Sequence, residues 1–424
     1  MLKKVYVTGM GLVSAAGMNP DEVWQAVNNG ESGIRPVNAW SQSDVFTGGE
    51  LKDYQPRKMV PDPKWLKLIS RQDVIGLNAV FQAIDHSQCV TYRDSLEPEA
   101  QAVFNENMGL YIGSSGNKFF QQYDFMPLMA ASKGKMPAFA EKLFETVHPM
   151  WLLKILPNNV LAYAGIQHGF KGPNQNIVNH AASGLQAVIE AYWAIATGQT
   201  ERAVAAAYDV GFEPQGQAYY EALGVISPTG MIRSFDMKRD GTVLGEGAAA
   251  LVLESEAAVK ERNARVYAEI LGGQQRSEAC GIFGLEPSGK SLEHLIQSGL
   301  ERLQLKAGDI GMITAHANGN MQSDHSEAQA LSALFGRYHT PVTGFKWSVS
   351  HTLCAAGVID TVLTILALNH QKVPGIPTLT DLADECQGIS VSSLPQKTLS
   401  SIGLVVARGF GGMDTSLFLK AAHG

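Results

Sequence analysis

The chain has 424 residues and a formal net charge of -7, with 45% of its residues hydrophobic and 17% charged. This composition is typical of a globular protein and excludes a disordered or fibrous one. The negative charge gives no electrostatic support to nucleic-acid binding, so no nucleic acid is expected as a partner. Because a single hydrophobic core rarely grows beyond about 250 to 300 residues, we expect two related halves.

Short apolar or alternating runs along the chain predict strands. In the first run, Val5 and Val7 alternate before Thr8-Gly9, which predicts a strand that enters a turn. Glycines interrupt the apolar N-terminal segment, so it does not resemble a signal peptide, and no later segment reaches the roughly 18 apolar residues of a membrane span. A soluble protein is therefore expected. The predicted strands lie at 3–8, 108–113, 203–208, 248–253, 266–271, 311–316 and 402–407.

Helical patterns lie between several of these strands, and they predict an α/β fold. The clearest are 182–197, which Gly198 ends, and 352–368, which is apolar nearly all round and therefore predicted to be buried. The less regular stretch of about 85–175 is rich in aromatic residues and methionine and predicts a cap or an interface. The charged segment 255–265 marks a seam between two halves, 1–258 and 259–424.

Gly9-Met10-Gly11 follows a strand and so resembles a dinucleotide-binding turn, but the match is weak. That fingerprint needs a helix that opens on a third glycine and an acidic residue about 20 positions later. Here Asn19-Pro20-Asp21 instead predict the cap and first turn of a later helix. The four cysteines stand far apart without a Cys-x-x-Cys pair. They indicate neither a disulfide framework nor a metal site, and reduced thiols point to the cytoplasm.

Residues 177–188, IVNHAASGLQAV, form an apolar run that breaks into small residues and then opens a helix. Such a strand-to-helix elbow exposes one side chain at a helix N-terminus, where free N–H groups and the helix dipole stabilise a thiolate or an oxyanion. A nucleophile is expected there, but the position is Ala181. A small-residue elbow also serves close helix packing, so this motif alone does not establish a catalytic site.

Two histidines follow apolar or buried segments. His316 stands at the end of a predicted strand beside Asn318 and Asn320, where it is placed to donate to a ligand carbonyl. His351 lies five residues after Lys346 and just before the buried helix, whose positive end would keep the ring neutral. Each histidine taken alone is as compatible with a structural role.

The turn at 408–412, Arg-Gly-Phe-Gly-Gly, directly follows an apolar strand. Three glycines around Phe410 indicate either a backbone that passes close to a ligand, with a movable aromatic gate, or a tight turn with a packed ring.

The order and spacing of these motifs resemble the β-ketoacyl-acyl-carrier-protein synthases, especially the elongating type, and through them the thiolase fold. The resemblance covers nearly the whole chain. It implies two similar halves in a layered α-β-α-β-α core. The sequence motifs around His316 and Lys346 are similar to those of ketosynthases from polyene or other specialised type II pathways. The motifs are VYVTGMGLVSAAG, GPNQNIVNHAASG, SFDMKRDGTVLGEGAAALVLE, TAHANGNMQSDHSEAQAL, GFKWSVSHTLCAAG and ARGFGGMDTSL.

The resemblance implies a decarboxylative Claisen condensation. An elbow cysteine takes the acyl chain as a thioester, and two histidines hold the malonyl thioester carbonyl, so that decarboxylation gives an enolate. Those histidines correspond to His316 and His351. The oxyanion hole corresponds to the backbone N–H groups of Ala181 and Phe410, and Phe410 is also the gate.

Other family positions also have counterparts in this chain. The family lysine corresponds to Lys346, which is expected to pair with Glu327 and order the site, with Asp324 as a second supporting carboxylate. The residues that bind the phosphopantetheine arm correspond to Asn318 and Asn320. The enzyme needs no cofactor of its own, because the acyl carrier protein supplies that arm.

The resemblance also implies partners, namely an acyl carrier protein and a second subunit in a homodimer or a heterodimer with a paralogue. An acidic partner needs a local basic patch, and Lys64, Lys67 and Arg71 could form one because their spacing places them on one helix face. A solvated helix surface explains the same residues.

The chain departs from the family at the elbow. Ala181 replaces the cysteine, Asn179 and His180 precede it where Thr and Ala are commoner, and Arg408 replaces an aromatic residue. Cys354 is expected to serve packing and not to replace the missing thiol.

Three interpretations follow from these departures. The chain is a condensing enzyme with an engineered Cys→Ala change, a natural non-condensing subunit similar to a chain length factor, or a decarboxylase that keeps the histidine pair. The retained His316, Lys346 and His351 favour the first, because a structural subunit has no chemical need for them.

Overall fold

An eleven-stranded mixed sheet runs through the computed structural model, which describes residues 2–37, 46–116, 121–211 and 214–422. In these ranges the strands are β1 (Val5–Ser14), β2 (Arg35–Val37), β3 (Phe46–Gly48), β4 (Met108–Gly113), β5 (Asn174–Ile177), β6 (Arg202–Val210), β7 (Glu246–Ser255), β8 (Ala268–Ser277), β9 (Met312–Thr314), β10 (Pro341–Thr343), β11 (Lys372–Val373), β12 (Ser390–Val391), β13 (Gln396–Lys397), β14 (Ile402–Gly409) and β15 (Met413–Ala421).

The helices of the described ranges lie between these strands, singly or in groups. They are α1 (Pro20–Asn28), α2 (Pro56–Met59), α3 (Arg71–Ser87), α4 (Cys89–Asp94), α5 (Pro98–Glu106), α6 (Gln121–Ser132), α7 (Met136–Thr146), α8 (Trp151–Lys154), α9 (Asn159–His168), α10 (Ser183–Ala196), α11 (Pro214–Ala222), α12 (Glu256–Glu261), α13 (Lys290–Arg302), α14 (Met321–Phe335), α15 (Lys346–Val349) and α16 (Ala356–Asn369). No helix in the described ranges has both the length and the apolar surface to cross a membrane.

The sheet repeats one topology on either side of its centre. Its order is β12-β10-β9-β14-β15-β8-β1-β7-β6-β4-β5, so β8 and β1 lie side by side in the middle. Outward from the centre, each side has two antiparallel pairings followed by parallel strands. The expectation of an α/β fold built from two similar halves is confirmed.

Helices α10 and α16 lie in the middle of the molecule. They pack on each other and on strands from both halves of the sheet. Helix α3 covers the outer face of β1, β6 and β7, while α13 packs on β8 and β15. The result is the expected sequence of layers, α-β-α-β-α. Helix α10 agrees with the predicted segment 182–197, and α16 with 352–368, where a short 3-10 turn, Leu353–Ala355, precedes the α-helix.

The turn predicted at Thr8-Gly9 is wrong, because β1 continues to Ser14. Its glycines have a packing role instead. A Cβ atom on Gly9 would lie 2.2 Å from Ala83 O, and one on Gly11 would lie 2.0 Å from Ala79 O. The glycines therefore allow the backbone of α3 to lie directly on β1. The predicted cap at Asn19 is confirmed, since its side chain accepts from Glu22 N at the start of α1.

Candidate active site

The elbow connects β5 to α10 through a 3-10 turn, His180–Ala182. The Ser183 hydroxyl closes this turn, because it accepts from Asn179 N at 2.7 Å and donates to His180 O at 2.7 Å. His180 has a φ of 48°, a left-handed backbone conformation that costs energy for a residue other than glycine. Ala181 follows at the helix N-terminus and is 1% exposed.

Close backbone contacts bring the elbow to the rest of the site. A Cβ atom on Gly184 would lie 2.4 Å from Cys354 O, so glycine is required for α10 to approach the turn that follows His351. A Cβ atom on Gly409, at the end of β14, would lie 3.3 Å from Ala181 N. Three segments that are remote in sequence therefore meet at Ala181.

His316 and His351 are neighbours, as expected, with ring centroids 5.2 Å apart and planes at 76°. Both rings are buried. In His351, Nδ1 accepts from Leu353 N at 3.2 Å, which leaves the proton of a neutral ring on Nε2. Burial holds the pKa of His316 well below its usual range, and the nearby Lys346 lowers it further. His316 is therefore favoured in its neutral form.

Both nitrogens of His316 already have neighbours in the chain. Nδ1 accepts from Arg408 N at 3.3 Å, and Nε2 lies 3.2 Å from the side-chain nitrogen of Asn318. The Asn318 oxygen accepts from Asn320 N, which fixes the orientation of that amide. Asn320 in turn caps α14, because its side chain accepts from Gln322 N and Ser323 N. The two residues expected to bind a phosphopantetheine arm thus hold the loop after β9.

The expected pairing of Lys346 with Glu327 is wrong. Lys346 Nζ lies 2.9 Å from Asp360 Oδ2, a residue of α16, and both side chains are 1% exposed. The two Glu327 oxygens instead accept from His316 N at 2.7 Å and Ala317 N at 2.9 Å. Sequence reasoning missed Asp360, although it is a lone carboxylate in an otherwise apolar helix, which is a signal for a buried partner.

The second carboxylate, Asp324, supports the same loop. Its oxygens accept from Phe235 N at 2.7 Å and Gly319 N at 3.2 Å. Burial raises the pKa of Asp324 to about 7. Together with Glu327, it fixes the backbone that carries His316.

The gate residue Phe410 stacks on His180, with ring centroids 4.6 Å apart and planes at 15°. Phe410 N donates to His180 Nδ1 at 3.2 Å, and His180 Nε2 lies 2.9 Å from the Tyr220 hydroxyl. The N–H group that was expected to face a ligand oxygen is therefore bonded to a side chain of the chain itself. The sequence showed His180 only as a departure from the family pattern.

A cavity of about 330 Å³ lies beside this cluster. Both members of the histidine pair line it, together with Tyr220, Asn318 and Asn320. Next to the elbow its wall consists of His180, Gly409 and Phe410, behind which Ala181 is almost fully buried. The histidine pair therefore lines the cavity directly, whereas Ala181 does not.

Arg408 is buried and fully engaged in contacts with the chain. Its guanidinium lies 3.0 Å from Asp414 Oδ1 and 2.6 Å from Glu278 Oε1, and it also donates to Ser323 O at 3.2 Å. Burial alone would lower the pKa of Arg408, but the surrounding carboxylates, Asp414 first, raise it above its usual value. The charge of this arginine, which stands in place of an aromatic residue, is thus compensated by carboxylates of the same chain.

The basic residues expected on one helix face are divided between two elements. Lys64 and Lys67 are exposed on a 3-10 turn, Pro63–Lys67, whereas Arg71 begins α3 after the capping residue Ser70. Arg71 Nε donates to the buried Glu246 at 2.8 Å. Arg71 is thus paired within the chain while the two lysines are exposed, and the prediction of a shared face is wrong. In the described part of the chain, no group of three or more His, Cys, Asp or Glu residues could hold a metal ion.

Comparisons with known proteins cover both halves of the chain. Residues 2–258 match the family model for the β-ketoacyl synthase N-terminal domain, and residues 267–380 match the model for the C-terminal domain. A candidate polyketide β-ketoacyl synthase 1 of Streptomyces halstedii is 28% identical, covering 99% of this chain and 98% of that protein. A 3-oxoacyl-acyl-carrier-protein synthase 2 of Coxiella burnetii is 27% identical, with coverages of 99% and 98%.

Solved structures share the fold over the whole length. A ketosynthase in complex with its chain length factor from Xenorhabdus doucetiae gives a TM-score of 0.81 at 20% identity, covering 99% of this chain and 98% of that chain. A type II acyl carrier protein in complex with its hexaketide-bound ketosynthase gives a TM-score of 0.83 at 22% identity, with both chains covered completely.

Proposed function

Because the chain belongs to the β-ketoacyl synthase family, we propose that it is a non-condensing subunit, similar to a chain length factor, that pairs with a catalytic ketosynthase. The catalytic partner would carry the acyl thioester on its own elbow cysteine and condense it with malonyl-acyl carrier protein. This chain would complete the pocket in which the acyl chain grows. Its four cysteines are thiols, which is consistent with a place in the cytoplasm, and a polyene or other specialised type II pathway remains our prediction.

The elbow carries this proposal. Ala181 has a methyl group where the family has a thiol, so no acyl-enzyme can form there. The oxyanion hole is affected as well, because Phe410 N–H donates to His180 Nδ1. Covalent catalysis needs both a nucleophile and donors for the developing oxyanion. This site lacks the nucleophile, and His180 occupies one of the two expected donors.

A condensing enzyme inactivated by one engineered change explains less of this site. Such a change would account for Ala181 but not for His180, whose ring holds both Phe410 N–H and the Tyr220 hydroxyl. It would also not account for Arg408, which is paired with Glu278 and Asp414. These departures have partners within the chain, which favours a site that lost condensation naturally.

The retained histidines and lysine do not require a condensing enzyme. Lys346 forms a buried ion pair with Asp360, and loss of either partner would leave an uncompensated charge in the core. His316 accepts from the backbone of Arg408. A subunit without chemistry can therefore keep both residues for the stability of its fold.

Decarboxylation of malonyl-acyl carrier protein is a second candidate, and one observation favours it. His316 and His351 are neighbours and both line the cavity. Imidazole N–H groups are suited to stabilise an enolate oxygen without a nucleophile. Release of carbon dioxide from malonyl-acyl carrier protein by the chain alone, and its loss in a His351→Ala variant, would support this activity.

Reconstitution tests the proposed subunit role. The chain is mixed with acyl- and malonyl-acyl carrier protein alone and together with a ketosynthase that keeps its elbow cysteine. We expect the two chains to elute as one complex, and we expect the complex to give products longer than those of the ketosynthase alone. Elongation by this chain alone, or identical products with and without it, would reject the proposal.

A further inference from the structure

The turn that carries Phe410, residues 409–412, is covered from outside by residues 278–289, which we call the cover segment. Two backbone hydrogen bonds of 2.7 Å join them, from Glu278 N to Gly412 O and from Gly411 N to Ile282 O. Phe283 of the cover segment meets the Phe410 ring edge-on, with centroids 5.4 Å apart. The gate ring therefore lies between Phe283 on one side and His180 on the other.

Arg408 connects the cover segment to the core. Its Nη2 lies 2.6 Å from Glu278 Oε1, and the other oxygen of Glu278 accepts from Glu286 N at 2.9 Å, which holds the far end of the segment. The same Nη2 lies 3.3 Å from Ser326 Oγ, which donates to Glu286 O at 2.7 Å. One buried guanidinium thus fixes both ends of the cover segment.

The exposure of the cover segment indicates that these contacts are needed. Ile282 is 71% exposed and Phe283 is 59% exposed, so little apolar burial holds the tip in place. A loop with few buried contacts opens locally unless specific bonds restrain it. Here the bonds to the turn at 409–412 and to Arg408 supply that restraint.

We propose that Arg408 is a positioning residue that holds the cover segment against Phe410 and keeps the gate closed, so that no acyl chain passes from the cavity to the elbow of this subunit. This inference rests on the proposed function, because a subunit without an elbow thiol has no use for an open gate. It assigns the growing acyl chain to the partner subunit and leaves this chain's cavity closed at Phe410.

A cysteine placed at the elbow can report on the gate without any knowledge of the substrate. Ala181→Cys is introduced in a Cys280→Ser background, because Cys280 is exposed whereas Cys89, Cys354 and Cys386 are buried. The rate of alkylation by iodoacetamide is followed by mass spectrometry of the peptide that contains residue 181. The folded protein should react at least about a hundredfold more slowly than the same protein in urea.

Two neighbouring substitutions then separate the gate contact from a general effect on the loop. Phe283→Ala removes the ring that meets Phe410, whereas Ile282→Ala removes the more exposed side chain beside it. We expect Phe283→Ala to raise the alkylation rate about tenfold and Ile282→Ala to leave it within about twofold. Arg408→Lys, which keeps a buried positive charge, should raise the rate as Phe283→Ala does. If Arg408→Lys does not fold, Glu278→Gln weakens the same ion pair from its other side and should raise the rate likewise; an unchanged rate in a folded variant of this pair would overturn the role of Arg408.

Equal rates for Phe283→Ala and Ile282→Ala would overturn the proposal, as would an elbow thiol that reacts as fast in the folded protein as in urea. The measurement uses no partner and no carrier protein. A failure of the closed gate is therefore distinct from a failure of the subunit role, which reconstitution tests separately.

Discussion

Lys346 and Asp360 form an ion pair inside the core, with 2.9 Å between Nζ and Oδ2 and only 1% of each side chain exposed. The pair joins α15 to α16, the helix whose entry carries His351. A residue that the family resemblance associates with the active site is thus part of the packing that places the histidine pair.

Asp360→Asn should destabilise the protein by about 3 to 5 kcal/mol, because the Lys346 charge stays buried without its counter-ion. Urea unfolding at pH 7 measures this loss. The double variant Lys346→Met, Asp360→Leu should lose less, since no charge remains to be compensated. A single variant as stable as the wild type would show that the pair contributes nothing.

His316→Asn should change how stability depends on pH. The pKa of His316 in the folded protein lies well below its usual value of about 6.5, because of burial and the nearby Lys346. Between about pH 6.5 and the lower pKa of the folded protein, the unfolded chain binds a proton that the folded protein does not. In that range His316 lowers the unfolding free energy by about 1.4 kcal/mol for each pH unit that the pH falls.

The asparagine of the His316→Asn variant would keep an acceptor for Arg408 N without a titrating ring. Between pH 6.5 and 5 the unfolding free energy of the variant should therefore fall less than that of the wild type. Only the difference between the two proteins isolates His316. Asp324, whose pKa burial raises to about 7, acts in the opposite direction, because its stabilising effect is lost as the pH rises towards 7. Parallel curves would contradict a neutral His316.

Gly184→Ala should weaken the elbow. The new Cβ atom would lie 2.4 Å from Cys354 O and 2.8 Å from Ala207 Cβ, so α10 must shift, at a cost of about 1 to 3 kcal/mol. Gly165→Ala is a matched control within helix α9, where the nearest atom, Leu110 Cδ1, is 3.3 Å away and belongs to a side chain. Thermal unfolding of both variants should show the larger loss for Gly184→Ala.

The sequence predicted the elements with a strong local signal. Segments 182–197 and 352–368 are apolar helices between strands, and both are present as α10 and α16. Strand β15 was missed, because Asp414, Thr415 and Ser416 interrupt its pattern with polar residues that are nevertheless buried. The burial of Asp414 depends on Arg408, a partner that no local pattern could identify.

The candidate site was predictable in its members but not in their contacts. The motifs correctly placed His316 beside His351. They could not show that His180 would accept the Phe410 N–H, because that bond joins two turns that only the folded sheet brings together. They also gave Lys346 the wrong partner, because the resemblance assigned it Glu327, whose oxygens accept from two backbone N–H groups.

Acylation of an Ala181→Cys variant tests the central claim, that this chain lost condensation as a whole site and not by one residue. The variant is incubated with acyl-acyl carrier protein, and its intact mass is measured beside that of a ketosynthase that keeps its elbow cysteine. We expect the ketosynthase to gain the acyl mass and the variant to gain none. The Phe410 N–H already donates to His180, and the Phe410 ring stacked on His180 closes the gate. A variant that is acylated as completely as the ketosynthase would contradict the account and identify the chain as a condensing enzyme that lacks only its cysteine.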